Sequence, residues 1–223
     1  MFARLFVALQ YLLPQHLLTA LIWRIARIRH VATKNFLITR FVGFYEVEVD
    51  EVMLDVPDDF ASFNDFFVRE LKAGARPLDE SDNSIVSPVD GTVSVADLIR
   101  DDSIIQAKGL KYSLNDLLAT DLEKAAAYVD GAFATIYLAP FNYHRVHAPW
   151  DGELVAARYV PGDLFSVTGA TVARVDGILR RNERLVLHFT TERGPAVLIR
   201  VGALNVGRTE ARRVGKEGQR EVS

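Results

Sequence analysis

No acidic residue occurs before Glu46 in this 223-residue chain, while Arg4, Arg24, Arg27, Arg29, Lys34 and Arg40 all fall in that stretch. Acids are frequent afterwards. A charge step of this kind divides a chain between two physical environments, so it constrains the fold before any element is assigned. Met1 to Leu13 is mostly apolar with a single arginine, and Pro14 interrupts it. From Gln15 onward, Leu18, Leu21, Ile22, Ile25 and Ile28 recur at helical spacing, with Arg24, Arg27 and His30 towards the other side. No uninterrupted apolar run reaches the roughly 18–20 residues that span a bilayer. A signal peptide is poorly supported, because no small-residue cleavage site follows Leu13. A basic amphipathic helix without acids suits the surface of an anionic membrane, with arginines at headgroup depth and aliphatic side chains below. The bland alternative is a pair of helices packed on an ordinary core. The acid-free run favours membrane contact for residues 1–45, peripheral and on the cytoplasmic side.

Beyond Glu46 the pattern changes to short β-prone runs divided by Pro, Gly and Asp. Strands are expected at 85–86, 91–97, 132–138, 152–160, 184–190 and 196–206, with helices over 62–71 and around 114–127. Asn64 or Ser62 can cap the first of these helices. The expected class is α+β: a mainly antiparallel β domain, barrel-like or sandwich-like, over 46–207, with N-terminal amphipathic helices. Residues 208–223 form a polar tail with few apolar residues, expected to be weakly structured. A length of 223 residues suffices for one substantial core plus an appendage. The net charge of -3 argues against a nucleic-acid partner, and the absence of cysteine excludes disulfides, thiolate zinc sites and cysteine nucleophiles.

Two segments carry chemistry. Ser87-Pro88-Val89-Asp90-Gly91 places an aspartate on a turn, and Pro149-Trp150-Asp151-Gly152 repeats the Pro-x-Asp-Gly pattern ahead of another strand. Tyr143-His144-Arg145-Val146-His147-Ala148-Pro149 places two histidines three residues apart after an apolar strand. An aspartate and a histidine are the supporting members of a relay that activates a hydroxyl. Asp90, His144 and His147 are also candidate zinc ligands for a hydrolase. Against this, side chains three apart on a strand point to opposite faces.

Taken in order, Phe63-Asn64-Asp65-Phe66-Phe67-Val68-Arg69-Glu70-Leu71, Ala75-Arg76-Pro77, Ser87 to Gly91, Tyr143 to Pro149 and Phe165-Ser166-Val167 resemble phosphatidylserine decarboxylase. Arg181-Asn182-Glu183-Arg184 and Val201 to Gly207 continue the resemblance. It implies a proenzyme that cuts itself at the Gly-Ser bond of a Leu-Gly-Ser-Thr motif, leaving a pyruvoyl group on a new C-terminal α-chain. It further implies that Asp90 and His147 deprotonate that serine, and that the pyruvoyl ketone forms a Schiff base with the substrate amine and takes up the electrons left as CO2 departs. His144 is the candidate for returning a proton to the carbon. Implied partners are phosphatidylserine, an anionic membrane surface and the α-chain; a homodimer is compatible with the resemblance.

Gly-Ser does not occur anywhere in the 223 residues. The chain therefore corresponds to most of the family's β-chain part. Without the serine it is expected to carry no pyruvoyl group and release no CO2 by itself. A non-catalytic lipid-binding module is the rival reading.

Overall fold

In a computed structural model, the described residues are 2–79, 81, 84–100, 103–107, 110–120, 122–206 and 221–222. The elements run α1 (Phe2–Leu12), α2 (Gln15–Ala26), α3 (Val31–Tyr45), α4 (Phe63–Phe67), β1 (Thr92–Leu98), β2 (Ser103–Ala107) and β3 (Leu110–Ser113). They continue α5 (Leu114–Leu118), α6 (Leu122–Ala126), β4 (Ala132–Tyr137), β5 (Val146–His147), β6 (Glu153–Val160), α7 (Gly169–Val172) and α8 (Ile178–Arg181). β7 (Arg184–Thr191), β8 (Gly194–Val201) and β9 (Glu221–Val222) complete the order. The expected α+β class is observed, with small sheets and no closed barrel among the described residues. Most of the expected tail lies outside those residues. The chain divides into two compact units, one of residues 1–20, 93–137 and 151–211, the other of 21–92, 138–150 and 212–223.

The first unit is built on the antiparallel sheet β6-β7-β8, with Tyr159 opposite Leu185 and Leu187 opposite Leu198. β7 is central, and its consecutive Leu185, Val186 and Leu187 are all buried. A strand covered on both faces carries a continuous apolar run instead of an alternation. β2 and β3 form a hairpin that sequence reading had not assigned, and β1 pairs with β4. Ile99, Ile104, Tyr112, Leu114, Leu117, Leu118 and Ala125 close the core against Val186. The single helix expected over 114–127 is two short ones. Ala119 sits in the left-handed region at φ 51° and caps α5, ending its run of backbone hydrogen bonds.

Buried polar side chains fasten this unit. Asn182 Nδ2 donates to the carbonyls of Phe165 and Gly202, both at 2.8 Å, and its Oδ1 accepts the Phe165 N–H at 3.1 Å. Arg184 donates to the carbonyls of Leu117 (2.7 Å), Arg180 (2.6 Å), Asn182 (3.2 Å) and Asp116 (2.7 Å). Gly162 passes so close to this strand start that a Cβ there would lie 2.8 Å from the Glu183 nitrogen. The first two helices are stitched in as well: Gln10 Oε1 on α1 accepts from Ser166 N–H at 2.8 Å, and Gln15 Oε1 at the start of α2 from Leu164 N–H at 2.7 Å.

The second unit centres on α3, which sequence reading had not separated from the helices before it. Ile38 packs with Val47, Val52, Phe60 and Phe66. Glu46, the first acid of the chain, ends α3 in a left-handed conformation at φ 53°. Lys34 is buried on this helix, and its ammonium donates to Asn35 Oδ1 (2.7 Å) and to the carbonyls of Pro57 and Asp58 (both 3.1 Å). Ser62 caps α4 by accepting the Asp65 N–H at 3.2 Å. α4 stops at Phe67, short of the expected Leu71, because Leu71 bridges antiparallel to Val52 in extended backbone. The expected strand at 85–86 forms no ladder; Val86 N–H makes one bond to the Pro149 carbonyl, 3.0 Å.

Candidate active site

The two chemistry-bearing segments meet inside the second unit. His147 N–H donates to the Pro88 carbonyl at 2.8 Å, beside the Val86–Pro149 bond, so the Asp90 turn and the histidine segment run together. Ahead of the histidines, Asn142 closes a turn by accepting the Ala139 N–H on Oδ1 at 2.7 Å while its own N–H reaches the Ala139 carbonyl at 3.0 Å. This turn presents Tyr143 and His144.

The three predicted side chains do not share one partner. Asp90 is gripped by Arg76: Nε lies 2.9 and 3.0 Å from its two oxygens and Nη2 lies 2.6 Å from Oδ2. Arg76 Nη1 also pairs with Glu51 at 2.9 Å. These carboxylates hold the guanidinium well above its ordinary pKa. His147 Nε2 hydrogen-bonds the Tyr143 hydroxyl at 2.9 Å, with the rings stacked. Asp90 and His147 make no hydrogen bond to each other. His144 turns elsewhere, its ring 4.0 Å from that of Phe67.

His144 Nδ1 lies 2.7 Å from the Asn142 carbonyl. A carbonyl only accepts, so Nδ1 carries the proton and Nε2 holds a lone pair in the neutral ring. Burial pushes the His144 pKa down to about 4, more than the carbonyl bond raises it, and the Arg69 cation lowers it further. The imidazole is therefore neutral at pH 7. For zinc the geometry is wrong: Asp90 is spent on Arg76, and His144 and His147 bond different groups. No metal-competent cluster of three such side chains occurs among the described residues.

Comparison with known proteins decides the lineage. A family model described as phosphatidylserine decarboxylase matches residues 63–221, and a second, described as PSD, matches residues 5–46. The phosphatidylserine decarboxylase proenzyme of Alcanivorax borkumensis is 48% identical over 208 residues, 93% of this chain and 72% of that protein. The proenzyme of Bordetella pertussis is 46% identical over 207 residues (93% of this chain, 70% of the relative). That of Legionella pneumophila strain Lens is 46% identical over 198 residues (89% and 69%).

The chain belongs to the phosphatidylserine decarboxylase family.

Within that family frame, four side chains around the histidines had no role assigned from sequence. Arg69, Arg76, Tyr143 and Phe67 all fall inside motifs that carried the resemblance; the partners of Arg69, Arg76 and Phe67 are remote in sequence, while that of Tyr143 is His147, four residues on. Arg69 is 3% exposed and donates from Nη2 to the carbonyls of Phe141 (3.0 Å) and Asn142 (3.4 Å). Its Nε and Nη1 are buried with no hydrogen-bond partner. Arg145 completes the grip, donating to the Val68 carbonyl and pairing with Glu70, each at 2.9 Å.

No Gly-Ser pair occurs in the sequence. His147 Nε2 already engages a hydroxyl, the arrangement a base needs to take a proton from one.

Proposed function

We propose that this chain supplies the histidine half of a two-chain phosphatidylserine decarboxylase, a carboxy-lyase that converts phosphatidylserine to phosphatidylethanolamine and CO2. The name proenzyme, carried by the relatives, supports processing into two chains. The observation that carries the reading is the His147 Nε2–Tyr143 hydroxyl bond at 2.9 Å, on a segment tied to the Pro88 carbonyl. A serine hydroxyl replacing that of Tyr143 would give up its proton to Nε2. Asp90 would stabilise the resulting cation once its carboxylate leaves Arg76 for the ring. His144, neutral with its lone pair at Nε2, takes a proton there and returns it to carbon. A pyruvoyl group, when present, would supply the electron sink.

A lipid substrate requires approach to a bilayer, and the helices suit it. Leu12 is 82% exposed and Phe44 78%, and Leu17, Phe36 and Val31 are also exposed. Among the described residues no single helix is long and apolar enough to cross a membrane; α1 and α2 break by 92°. The second unit holds an apolar cavity of about 830 Å³ lined by Ile22, Ile25, Leu37, Phe41, Phe44 and Phe63, with Arg40 its charged lining residue. These features support a peripheral attachment to an anionic membrane surface, placed by this reading on the cytoplasmic side. Phe44→Glu together with Leu17→Glu should reduce flotation with anionic vesicles at least tenfold; unchanged flotation rules out attachment through these helices. Deleting the N-terminal helices is a poor test, because Gln10 and Gln15 hold the first unit together.

The decisive experiment fuses a relative's C-terminal segment, bearing Leu-Gly-Ser-Thr, after Gly207. Intact mass should show cleavage, a carbonyl-reactive probe should label the new chain, and CO2 should be released from phosphatidylserine. His147→Ala should abolish cleavage. His144→Ala should cleave normally and lose CO2 release by at least a hundredfold. A fusion that folds without cleaving, or CO2 release by the unmodified chain, would overturn the reading.

A further inference from the structure

His144 could hold its proton on either ring nitrogen, and the choice decides whether the nitrogen left free is an acceptor or a donor. In this structure the choice is made by one oxygen. The Asn142 carbonyl takes His144 Nδ1–H at 2.7 Å and also Arg69 Nη2 at 3.4 Å. The same Nη2 holds the neighbouring Phe141 carbonyl at 3.0 Å.

We propose that Arg69 is a positioning residue that fixes His144 in the Nδ1-protonated tautomer, by clamping the carbonyl both side chains bond. The inference deepens the decarboxylase reading, because it assigns how the proton-handling nitrogen of His144 is kept free.

Arg69 is suited to this by what surrounds it. Its guanidinium lies over the Phe66 ring, 5.1 Å from the centroid, so it is fixed from below by the helix that leads into it. Phe67, next on that helix, covers the His144 ring. The following residues continue the grip, through the Val68 carbonyl and Glu70 to Arg145. One five-residue segment, Phe66 to Glu70, thus holds the loop on both sides of His144.

The unpartnered Nε and Nη1 sharpen the point. Burying a cation with unpaired donors is costly, so stability alone favours an apolar side chain here. The bonded edge is what distinguishes arginine from such a replacement, and that edge faces the histidine loop. Around the pair, the charged and titratable groups are Arg69 itself, then Asp90, Arg76 and Tyr143, which act on Arg69. Glu70 and Arg145 neutralise each other nearby. Arg69 is the cation that acts on His144, lowering its pKa alongside burial.

The test reads His144 directly and needs no turnover. In the full chain labelled with 15N, the ring nitrogens of the five histidines report tautomer and titration, and His144→Asn assigns the signal. The wild-type protein should show His144 protonated at Nδ1 alone at pH 7. Arg69→Met should give a mixture of tautomers and move the titration midpoint up towards the ordinary histidine value. Arg69→Lys keeps the charge but not the planar fork, so it should give the mixture while leaving the midpoint low. Should Arg69→Met fail to fold, the lysine variant and the wild-type tautomer carry the test. Wild-type His144 protonated at Nε2, or an unchanged tautomer in either folded variant, overturns the proposal. Loss of CO2 release in His144→Ala of the fused protein tests the catalytic reading separately.

Discussion

Asn182 in the first unit and Arg69 in the second are both buried side chains that hold two backbone carbonyls through one nitrogen, yet their surroundings differ. Asn182 has its amide oxygen satisfied as well, so every part of the group is bonded. Arg69 keeps two donor nitrogens without partners and shares a carbonyl with a histidine whose charged form is disfavoured. A fully bonded network stabilises a unique packing, whereas a partly bonded one beside a titratable ring stores cost at the place where chemistry is done. The first unit is thus rigid at Asn182, even though Arg200 Nη1 is buried there without a partner, and the second accepts local destabilisation around its histidines.

Three perturbations and a pH change should break or sharpen this contrast, measured by urea unfolding. Asn182→Ala strands two carbonyls and an N–H in the core, and should cost about 3–4 kcal/mol. Next in size is the effect of acid. The folded pKa of His144 lies near 4 against 6.5 unfolded, so the unfolded chain binds the proton more readily. Its contribution is fully present above about pH 6.5 and is lost as pH falls towards 4. Stability should drop by about 2 kcal/mol between pH 7 and 5, a slope that His144→Asn should flatten. A pH slope unchanged by that substitution would remove the histidine from the contrast.

Arg69→Met should cost only about 1–2 kcal/mol, because the loss of two carbonyl bonds is offset by relief of the unpaired donors. Equality with Arg184→Met, whose guanidinium is bonded along its whole edge, would show the two units to be alike. Arg76→Gln should be the mildest, under about 1 kcal/mol, since its ion pairs with Glu51 and Asp90 are substantially exposed.

Much of the frame was legible in the sequence. The strands at 92–98, 132–137, 153–160 and 184–191 follow from β-prone runs between turn residues. The hairpin of β2 and β3 was missed, although Lys108-Gly109 stands between two short runs that carry the buried Ile104 and Tyr112. α3 was harder: Val31, Thr33, Ile38, Thr39 and Val42 are β-branched, and tertiary burial of Ile38 outweighs that propensity. At the site, local pattern marked Asp90, His144 and His147 because aspartate turns and paired histidines are conspicuous. Arg69 and Arg76 were quoted only as motif letters. A cation's role depends on what it meets, and the carbonyls that Arg69 holds lie 72 and 73 residues away.

The encapsulated ammonium of Lys34 has a practical consequence. All three of its protons are committed to oxygens of its own unit, so acylating reagents reach this amine only when that unit opens. Tryptic mass mapping of its labelling over time would record the opening of the histidine-bearing unit alone, even while the sheet of the other unit stays shut.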